Sequence, residues 1–464
     1  MLQKILKALD KVLRRYTPDP FVIAIGLTLL VILLSSLFTA STPLDNVRYW
    51  GDGFWSLITF TLQMVMILFT GYIVAASPPV KRLLQFLAKL AKTPGQAIVL
   101  VSLVSAFGAY INWGLGLVVG AFFALETARV HKNINFRVLV ASAYSGFLFW
   151  HGGLSGSIPL VVNTPGNFSQ EWVGGILPVG QTLFSGFNLT TLFVLAVTIP
   201  ALNWYMHKLN AHEGHWTPAL QPKGREATGE PSEYSEVVDR TQLGAKSTES
   251  VPSSRAFSEW LENHRGVSLI LFVLGLIYVV QILWSQKFTL DLNSINFIFL
   301  FLGLILHKTP RSFLKAVEEA AGKLGPLLVQ YPLYAGIMGV MVHSGLAEVL
   351  SVFFVEISNK ATLPLMTFWS AGLVNLFIPS GGGQWAVQAP VMLPAAQELG
   401  ADIPLTVMAV AWGDAWTNML QPFWALPLLA IANIQVKEIL GFCFMVLVAS
   451  GVVISGLLLA FAWG

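Results

Sequence analysis

Residues 378–385 read IPSGGGQW, and they interrupt a long apolar stretch. The stretch extends from residue 361 to residue 397 and contains no Asp, Glu, Lys, Arg or His. A proline and three consecutive glycines disfavour a continuous helix at its centre. Since one membrane crossing takes about 20 residues, the stretch is too long for one crossing and barely long enough for two. The pattern predicts a re-entrant helical hairpin over 361–397, with IPSGGGQW at its tip.

The composition is that of a membrane protein. The chain has 464 residues, of which 55% are hydrophobic and 11% charged, and its mean hydropathy is +0.67. Soluble domains carry about 25% charged residues. Residues 54–77 and 439–464 contain no charged side chain. The chain is therefore predicted to be an all-α polytopic membrane protein, and its single cysteine, Cys443, excludes an intrachain disulfide bond.

The apolar segments predict about nine spans and two hairpins. One hairpin covers 93–125 and the other 361–397, and they are called the first and second hairpin below. Two spans, 138–163 and 404–430, are interrupted by glycine and polar residues, and they are called the first and second broken span. The simple spans are 20–40, 54–77, 182–206, 266–285, 293–307, 324–345 and 438–463.

The distribution of Lys and Arg predicts the orientation, because positive residues collect on the cytoplasmic side. With the N-terminus in the cytoplasm, the first hairpin enters from inside, the second enters from outside, and the C-terminus lies outside. Of the 27 Lys and Arg residues, only Arg48, Lys287 and Lys360 then lie outside. A single crossing by either hairpin would spoil this separation of charge.

The chain divides into four parts. Residues 1–19 carry Lys and Arg between leucines at helical spacing, which predicts an amphipathic cytoplasmic helix at the membrane surface. Residues 20–207 form the first membrane half, and residues 265–464 form the second. The intervening residues 208–264 are rich in Glu, Ser, Pro, Gly and Thr, which predicts a flexible cytoplasmic linker.

The two membrane halves share one order of elements. Each has a span, a polar helix, a hairpin, a broken span and a plain span, and the two series begin on opposite sides of the membrane. Such inverted repeats with discontinuous helices are typical of secondary transporters. The order and spacing of the segments therefore predict a transporter built from two inverted repeats.

Four polar clusters lie deep in the apolar segments, at the two hairpin tips and in the two broken spans. Broken backbone in lipid leaves amides and carbonyls unpaired unless it lines a cavity or packs on protein. Helix N-termini at such breaks attract anions, and glycine lets the backbone approach a ligand closely. The predicted substrate-binding residues are Asn112, Trp113, Gly114, Ser155, Gly156, Ser157, Ser380, Gly381, Gly382 and Gly383.

Apart from Glu438 at the first position of the last span, Asp414 is the only acidic residue inside any predicted membrane segment. An Asp near the centre of a spanning helix costs about 2.5–3.5 kcal/mol, which favours a functional role. Thr417 and Asn418 follow at helical spacing on the same face, so this face could bind Na⁺ or carry a proton. His151 is the matching ionisable residue in the first broken span. The alternative is that these polar side chains only hold helices together.

The predicted spans and hairpins contain no Lys or Arg, so the site has no fixed positive charge for a highly charged anion. A small monocarboxylate with a co-bound cation fits better, with Na⁺ at Asp414 and Asn418 as the candidate metal site and no other cofactor. C4-dicarboxylates, amino acids and other small anions are the alternatives, and a channel is a further one. An enzyme would need a nucleophile or a metal constellation, which the sequence does not assemble, and no feature indicates a nucleic acid partner.

The four polar clusters together resemble the short-chain fatty acid transporter family, a branch of the ion-transporter superfamily. The resemblance rests on AYINWGLGLVVGAFFALE (109–126), AYSGFLFWHGGLSGSIPL (143–160), NLFIPSGGGQWAVQAPV (375–391) and WGDAWTNMLQPFWALP (412–427). It implies uptake of butyrate, acetoacetate or similar monocarboxylates across a bacterial inner membrane. It also implies a homodimer whose transport domains make an elevator-like motion, driven by an H⁺ or Na⁺ gradient. The double Ser-Asn-Thr signature of the dicarboxylate branch is missing at the hairpin tips, which argues against a dicarboxylate.

Overall fold

The computed structural model describes residues 18–167, 169–210, 253–285, 292–322 and 324–463. These ranges are helical and contain no strand. The amphipathic helix predicted for 1–19 falls outside them except for its last two residues, and so does the predicted linker between residues 211 and 252. In the remaining part of that linker the chain forms a helix, Ser253–Asn263, which leads into the next helix at Arg265.

Ten helices make up the described part of the first half. They are α1 (Pro20–Phe38), α2 (Pro43–Gly53), α3 (Ile58–Ala76), α4 (Pro78–Leu90), α5 (Pro94–Ile111), α6 (Trp113–Val130), α7 (Phe136–Ser145), α8 (Ser157–Asn163), α9 (Gln170–Val173) and α10 (Gly186–Leu209). Short 3₁₀ helices occupy Gly146–Phe149 and Val179–Gln181.

Eleven more helices follow, of which α11 lies in the linker segment and the other ten in the described part of the second half. They are α11 (Ser253–Asn263), α12 (Arg265–Trp284), α13 (Leu292–His307), α14 (Pro310–Ala321), α15 (Gly325–His343), α16 (Leu346–Glu356), α17 (Leu363–Asn375), α18 (Gly381–Leu399), α19 (Ile403–Thr417), α20 (Pro422–Ala432) and α21 (Val436–Trp463).

The helices have the lengths and apolar character of a multi-pass membrane protein. Within the described ranges, α1, α5, α6, α10, α12 and α21 are each long and apolar enough to cross a membrane. Two further pairs, α3 with α4 and α15 with α16, pass only together and bend by 78° and 59°. These bends lie where each half was predicted to pass from a span to a polar helix. The count of about nine spans and the inverted repeats remain predictions.

Helices α2 and α14 are among those that were not predicted from the sequence. Helix α2 ends at Gly53, just before the predicted span at 54–77. A turn at residues 54–57 follows, and the helix of that span begins at Ile58. Thr42 and Asp45 form a reciprocal cap at the start of α2, and Pro43 occupies its first turn. Helix α14 is likewise capped by Thr309. Both are short and polar, so hydropathy does not reveal them.

The two hairpins differ in the length of their turns. In the first hairpin, Asn112 alone separates α5 from α6, and its Oδ1 accepts hydrogen bonds from the amides of Gly114 (3.0 Å) and Leu115 (3.2 Å). In the second hairpin, residues 376–380 separate α17 from α18, and Oγ of Ser380 accepts a bond of 3.3 Å from the amide of Gly383. Both tips are therefore stabilised by a side-chain cap at the start of the second arm.

Both broken spans are interrupted inside the predicted ranges. In the first, residues 146–156 lie between α7 and α8, as a 3₁₀ turn followed by irregular backbone. In the second, residues 418–421 lie between α19 and α20, where Pro422 begins α20. Nearly all of these residues are buried. The interruptions consequently place polar backbone and side chains in the interior, between the two hairpins.

Candidate functional site

The two broken spans meet at a buried pair of ionisable side chains. Nε2 of His151 lies 3.3 Å from Oδ1 of Asp414, and the two side chains are 0% and 1% exposed. The distance is that of an ion pair, although the angles do not satisfy a hydrogen bond. A buried carboxylate is costly unless it is paired. The sequence singled out both residues, but their contact connects the two halves of the chain and was not predicted.

The tip of the second hairpin packs directly on this pair. A Cβ atom on Gly381 would lie 2.7 Å from Nε2 of His151 and would also collide with Oγ of Ser157. Only glycine permits this approach. A Cβ on Gly382 would meet no atom within 4 Å, so the next residue of the tip borders open space. The structure thus brings Gly381, Ser157, His151 and Asp414 together.

The remaining residues of this tip support its conformation. Ser380 caps α18 through the amide of Gly383. A Cβ on Gly383 would lie 3.4 Å from the sulfur of Met338. Because the amides at the start of α18 point away from the helix, they form the positive end of its dipole, where an anion is favoured.

Asn375, at the end of α17, connects the second hairpin to the second broken span. Its Nδ2 lies 2.8 Å from the carbonyl oxygen of Asp414, 3.0 Å from Oγ1 of Thr417 and 2.7 Å from Oδ1 of Asn418. On the other side, the hydroxyl of Tyr144 donates a bond of 2.6 Å to the carbonyl of Asn418. The end of α19 therefore contacts the second hairpin through the Asp414 carbonyl and the side chains of Thr417 and Asn418, whereas the Asp414 carboxylate faces His151.

Asn375 was missed by sequence reasoning. Its signal was a lone amide side chain inside an apolar segment, only a few residues before the glycine tip. Asn375 could have been included among the candidate site residues if it had been counted with the polar cluster at that tip.

The tip of the first hairpin contacts the first broken span mainly through backbone. The amide of Trp113 donates a bond of 3.0 Å to Oγ of Ser155, and the amide of Leu154 donates one of 2.7 Å to the carbonyl of Tyr110. A Cβ on Gly153 would collide with that same carbonyl. This hairpin therefore supports the turn that carries His151.

Three predicted substrate residues have structural contacts in this region. The side-chain oxygen of Asn112 caps its own hairpin. A Cβ on Gly114 would collide with Ile67, and one on Gly156 would collide with the carbonyl of His151. Together with Trp113 and Ser155, these residues form a layer that packs against the first break.

Aromatic rings line the same region. Trp113, Trp150 and Trp424 have centroid separations of 5.2 to 6.4 Å, and the ring of Trp150 is 3.6 Å from that of His151. Trp424 follows the second break by a few residues and was not predicted as a site residue.

Trp412, in the second broken span, makes a hydrogen bond to the helix that follows the first broken span. Its indole nitrogen donates to Oδ1 of Asn188 (2.9 Å).

Several polar atoms at the meeting point of the broken spans have no hydrogen-bond partner among the described residues. They are both ring nitrogens of His151, Oγ of Ser157, both carboxylate oxygens of Asp414, Nδ2 of Asn418, Nε2 of Gln421 and Nε1 of Trp150. Buried polar groups are normally paired. A concentration of unpaired groups at one place favours a ligand site over side chains that only hold helices together.

The donor set suits light cations rather than transition metals. Across the residues that the structure describes, no group of three or more His, Cys, Asp or Glu side chains could hold a metal ion together. The groups at this site are instead one carboxylate, one imidazole, and neutral hydroxyl, amide and carbonyl groups. Such groups can bind Na⁺ or transfer a proton.

The chain is similar to known proteins over almost its whole length. A family model described as "Short chain fatty acid transporter" matches residues 1–461. A protein of Escherichia coli (strain K12), named "Putative short-chain fatty acid transporter", is 42% identical over 454 residues, which cover 98% of both chains. A protein of the same name from Haemophilus influenzae (strain ATCC 51907 / DSM 11121 / KW20 / Rd) is 37% identical over 454 residues, 97% of both chains.

Solved structures with some likeness are more distant. The Alcanivorax borkumensis YdaH transporter aligns over 95% of this chain and 98% of its own, with 17% identity and a TM-score of 0.41. The Neisseria gonorrhoeae protein MtrF, of a class of antimetabolite efflux pumps, aligns over 99% and 97%, with 16% identity and a TM-score of 0.39. The match of the family model over almost the whole chain, and the two relatives above, confirm the resemblance seen in the sequence: the chain belongs to the short-chain fatty acid transporter family, and it is a multi-pass membrane transporter, not an enzyme.

Proposed function

We propose that this protein takes up short-chain fatty acids such as butyrate or acetoacetate across a bacterial inner membrane, driven by a gradient of H⁺ or Na⁺. The observation that carries the proposal is the buried pair of His151 and Asp414 in contact with Gly381. It places an ionisable pair, unpaired hydroxyl and amide groups and a helix N-terminus at one point.

The pair gives a physical reason for coupling. A substrate carboxylate that enters this site comes close to Asp414, and two buried negative charges repel one another strongly. A proton or Na⁺ that neutralises Asp414 removes this repulsion. It also releases His151, whose ring N–H can then donate to the substrate carboxylate beside Ser157 and the amides of the hairpin tip. Substrate and cation therefore bind together.

The charge of the site favours a monocarboxylate. The contacts described around His151 and Asp414 include no Lys or Arg side chain. Arg137, which is buried at the start of α7, lies 4.0 Å from Glu438 instead. A second carboxylate on the substrate would have no cationic partner here, so C4-dicarboxylates are the less favoured alternative.

The wider architecture is proposed on the family resemblance and on the distribution of charge. The N-terminus lies in the cytoplasm and the C-terminus outside, and the two membrane halves are inverted repeats. Two copies of the chain form a homodimer, within which the hairpins and broken spans move together in an elevator-like step.

The test is uptake of labelled butyrate into proteoliposomes of the purified protein. An imposed inward Na⁺ gradient is compared with an imposed inward H⁺ gradient, and protein-free liposomes control for diffusion of the protonated acid. Accumulation above the control under either gradient supports the proposal and identifies the coupling ion. Absence of protein-dependent uptake under both gradients would refute it.

A further inference from the structure

Asn188, in the first turn of α10, makes hydrogen bonds to both broken spans. Its side chain is buried. Nδ2 donates one bond of 2.9 Å to the carbonyl oxygen of Gly152, in the interruption of the first broken span, and another of 2.7 Å to the carbonyl oxygen of Leu183. Oδ1 accepts a bond of 2.9 Å from the indole nitrogen of Trp412, in α19. One side chain of α10 therefore connects the first interruption to the second broken span.

These bonds leave the amide group of the Asn188 side chain only one orientation. Its nitrogen has two hydrogens, and both are donated to carbonyl oxygens. An indole nitrogen can only donate, so Trp412 requires the oxygen of this amide group and not its nitrogen. The backbone amide of Asn188 in turn donates a bond of 3.2 Å to Oγ of Ser185, which caps α10. Both the position and the orientation of the Asn188 side chain are consequently fixed.

The first interruption contacts α19 through two adjacent residues. His151 lies 3.3 Å from the Asp414 carboxylate. A Cβ atom on Gly152 would lie 2.7 Å from the ring of Trp412 and 2.9 Å from Oδ1 of Asn188, so the backbone packs closely there. Since adjacent residues are joined by a planar peptide bond, a movement of Gly152 moves His151 as well. The bond from Asn188 to the Gly152 carbonyl therefore restrains the backbone next to the imidazole.

We propose that Asn188 is a positioning residue for the His151–Asp414 pair. It holds the interruption of the first broken span against α19, so that the imidazole faces the carboxylate. Backbone outside a helix lacks the regular hydrogen bonds that would keep it in place, and a side chain of α10 supplies one at this turn. The inference rests on the proposed function, in which His151 donates to the substrate carboxylate. Asn188 acts on this step through Gly152 and Trp412.

The first measurement is the KM for butyrate uptake by the Asn188→Ala variant in proteoliposomes. A displaced imidazole binds the substrate carboxylate less well, so the KM should rise about tenfold or more. A role in folding alone would lower the amount of active protein, and with it the maximal rate, at an unchanged KM. The comparison of KM with the maximal rate therefore separates positioning from folding.

The matched control is Asn203→Ala, about four turns further along α10. Asn203 is likewise buried, and its Nδ2 donates two bonds, one of 3.0 Å to Oγ of Ser102 and one of 2.9 Å to Oγ of Ser145. This variant loses as many donated bonds from the same helix, but none of them reaches Gly152. Its KM should equal that of the wild type.

A second measurement needs no substrate. The Tm of the purified full-length protein is compared for the wild type, Asn188→Ala, Asp414→Asn and the double variant, which form a complete cycle. Asn188→Ala should lower the Tm about half as much in the Asp414→Asn background as in the wild type, because no ion pair then depends on the position of His151. Asn203→Ala should lower the Tm equally in both backgrounds.

Trp412→Phe tests the same network and serves even if Asn188→Ala does not fold. Phenylalanine keeps an aromatic ring against Gly152 but removes the N–H that donates to Oδ1 of Asn188. The KM should again rise, here by about threefold or more. The control is Trp416→Phe, one turn further along α19, where the indole nitrogen donates a bond of 2.7 Å to the carbonyl of Leu447 in α21. This control should keep the KM of the wild type.

Two results would overturn the inference. One is an unchanged KM in Asn188→Ala or, where that variant does not fold, in Trp412→Phe. The other is an equal loss of Tm in both backgrounds of the cycle. Butyrate uptake by the wild type together with such an equal loss refutes the positioning role and supports the proposed function. A smaller loss in the Asp414→Asn background, without butyrate uptake by the wild type under either gradient, supports the positioning role and refutes the proposed function.

Discussion

The imidazole of His151 and the carboxylate of Asp414 come within 3.3 Å of one another, although they belong to opposite halves of the chain. His151 lies in the interruption of the first broken span, Asp414 lies in the last turn of α19 just before the second interruption, and both are buried. Since neither helix continues through the interruption, the side chains can meet in the interior without a helix backbone between them. The contact makes the two broken spans parts of one site.

Asp414→Asn should abolish concentrative butyrate uptake, because the neutral amide can neither take up the coupling proton nor neutralise a cation. The protein should still fold and insert, since the amide is nearly isosteric with the carboxylate. Gradient-driven uptake into proteoliposomes measures the first effect, and size-exclusion chromatography the second. The control is Asp402→Asn, at the N-cap of the same helix, where Asn caps as well as Asp. Normal accumulation by Asp414→Asn would remove it from the coupling mechanism.

His151→Ala should destabilise the folded protein at neutral pH by about 3–5 kcal/mol, because it leaves the Asp414 carboxylate buried and unpaired. The double variant with Asp414→Asn should recover much of this loss, since no unpaired charge then remains. Chemical unfolding of the wild type, both single variants and the double variant forms a complete cycle. Additive losses in the double variant would show that the two side chains do not interact energetically.

Gly381→Ala should reduce butyrate uptake by about tenfold or more, because its methyl group would collide with His151 and Ser157. Overpacking of this kind costs about 1–3 kcal/mol, and the hairpin tip would have to move away from the pair. Gly456→Ala, in α21, is the matched control, since its Cβ meets no atom within 4 Å. Wild-type uptake by Gly381→Ala would mean that the tip does not need to contact the pair during transport.

Gly382→Val should block uptake by a different route. A Cβ at this position enters open space, so the variant should fold with a Tm near that of the wild type. Its branched side chain would then occupy the space beside the hairpin tip, which we propose as the path of the substrate to Ser157. Uptake kinetics and the Tm are compared with those of the wild type, and unimpaired uptake would count against a substrate path at this tip.

Competition should distinguish the substrate classes. Unlabelled acetoacetate, a monocarboxylate, should inhibit labelled butyrate uptake, whereas succinate in equal excess should not. The physical reason is that the second carboxylate of succinate would be buried without a cationic partner, which costs several kcal/mol. Inhibition by succinate as strong as that by acetoacetate would favour the dicarboxylate alternative.

Patterns within one segment were informative at the sequence level. The spacing of Asp414, Thr417 and Asn418 predicted a shared helical face. In the structure the side chains of Thr417 and Asn418 contact Asn375, whereas Asp414 contacts it only through its backbone carbonyl. The glycines and proline of IPSGGGQW predicted an interruption, and it lies between α17 and α18. Both features depend on local physical chemistry: the first on helical periodicity, and the second on the cost of placing helix-breaking residues inside a helix.

Contacts between segments could not be read from one sequence. His151 was paired with Asp414 only by analogy of position, and the distance between them depends on how the two halves pack. Asn112 was expected to face a substrate, and that stays a prediction. The structure adds that its side-chain oxygen caps its own hairpin, which depends on backbone geometry that the sequence does not give.

The unequal turns of the two hairpins determine which of them can change shape. The turn of the first hairpin is a single residue, Asn112, whose side-chain oxygen accepts hydrogen bonds from two backbone amides. Few backbone torsion angles can therefore change in this turn. The turn of the second hairpin has five residues, 376–380, and more of its backbone torsion angles can change. Amide hydrogen exchange should therefore be faster at residues 376–383 than at residues 111–115. We therefore expect the first hairpin to act as a rigid wall of the site and the second to bend when substrate enters or leaves it.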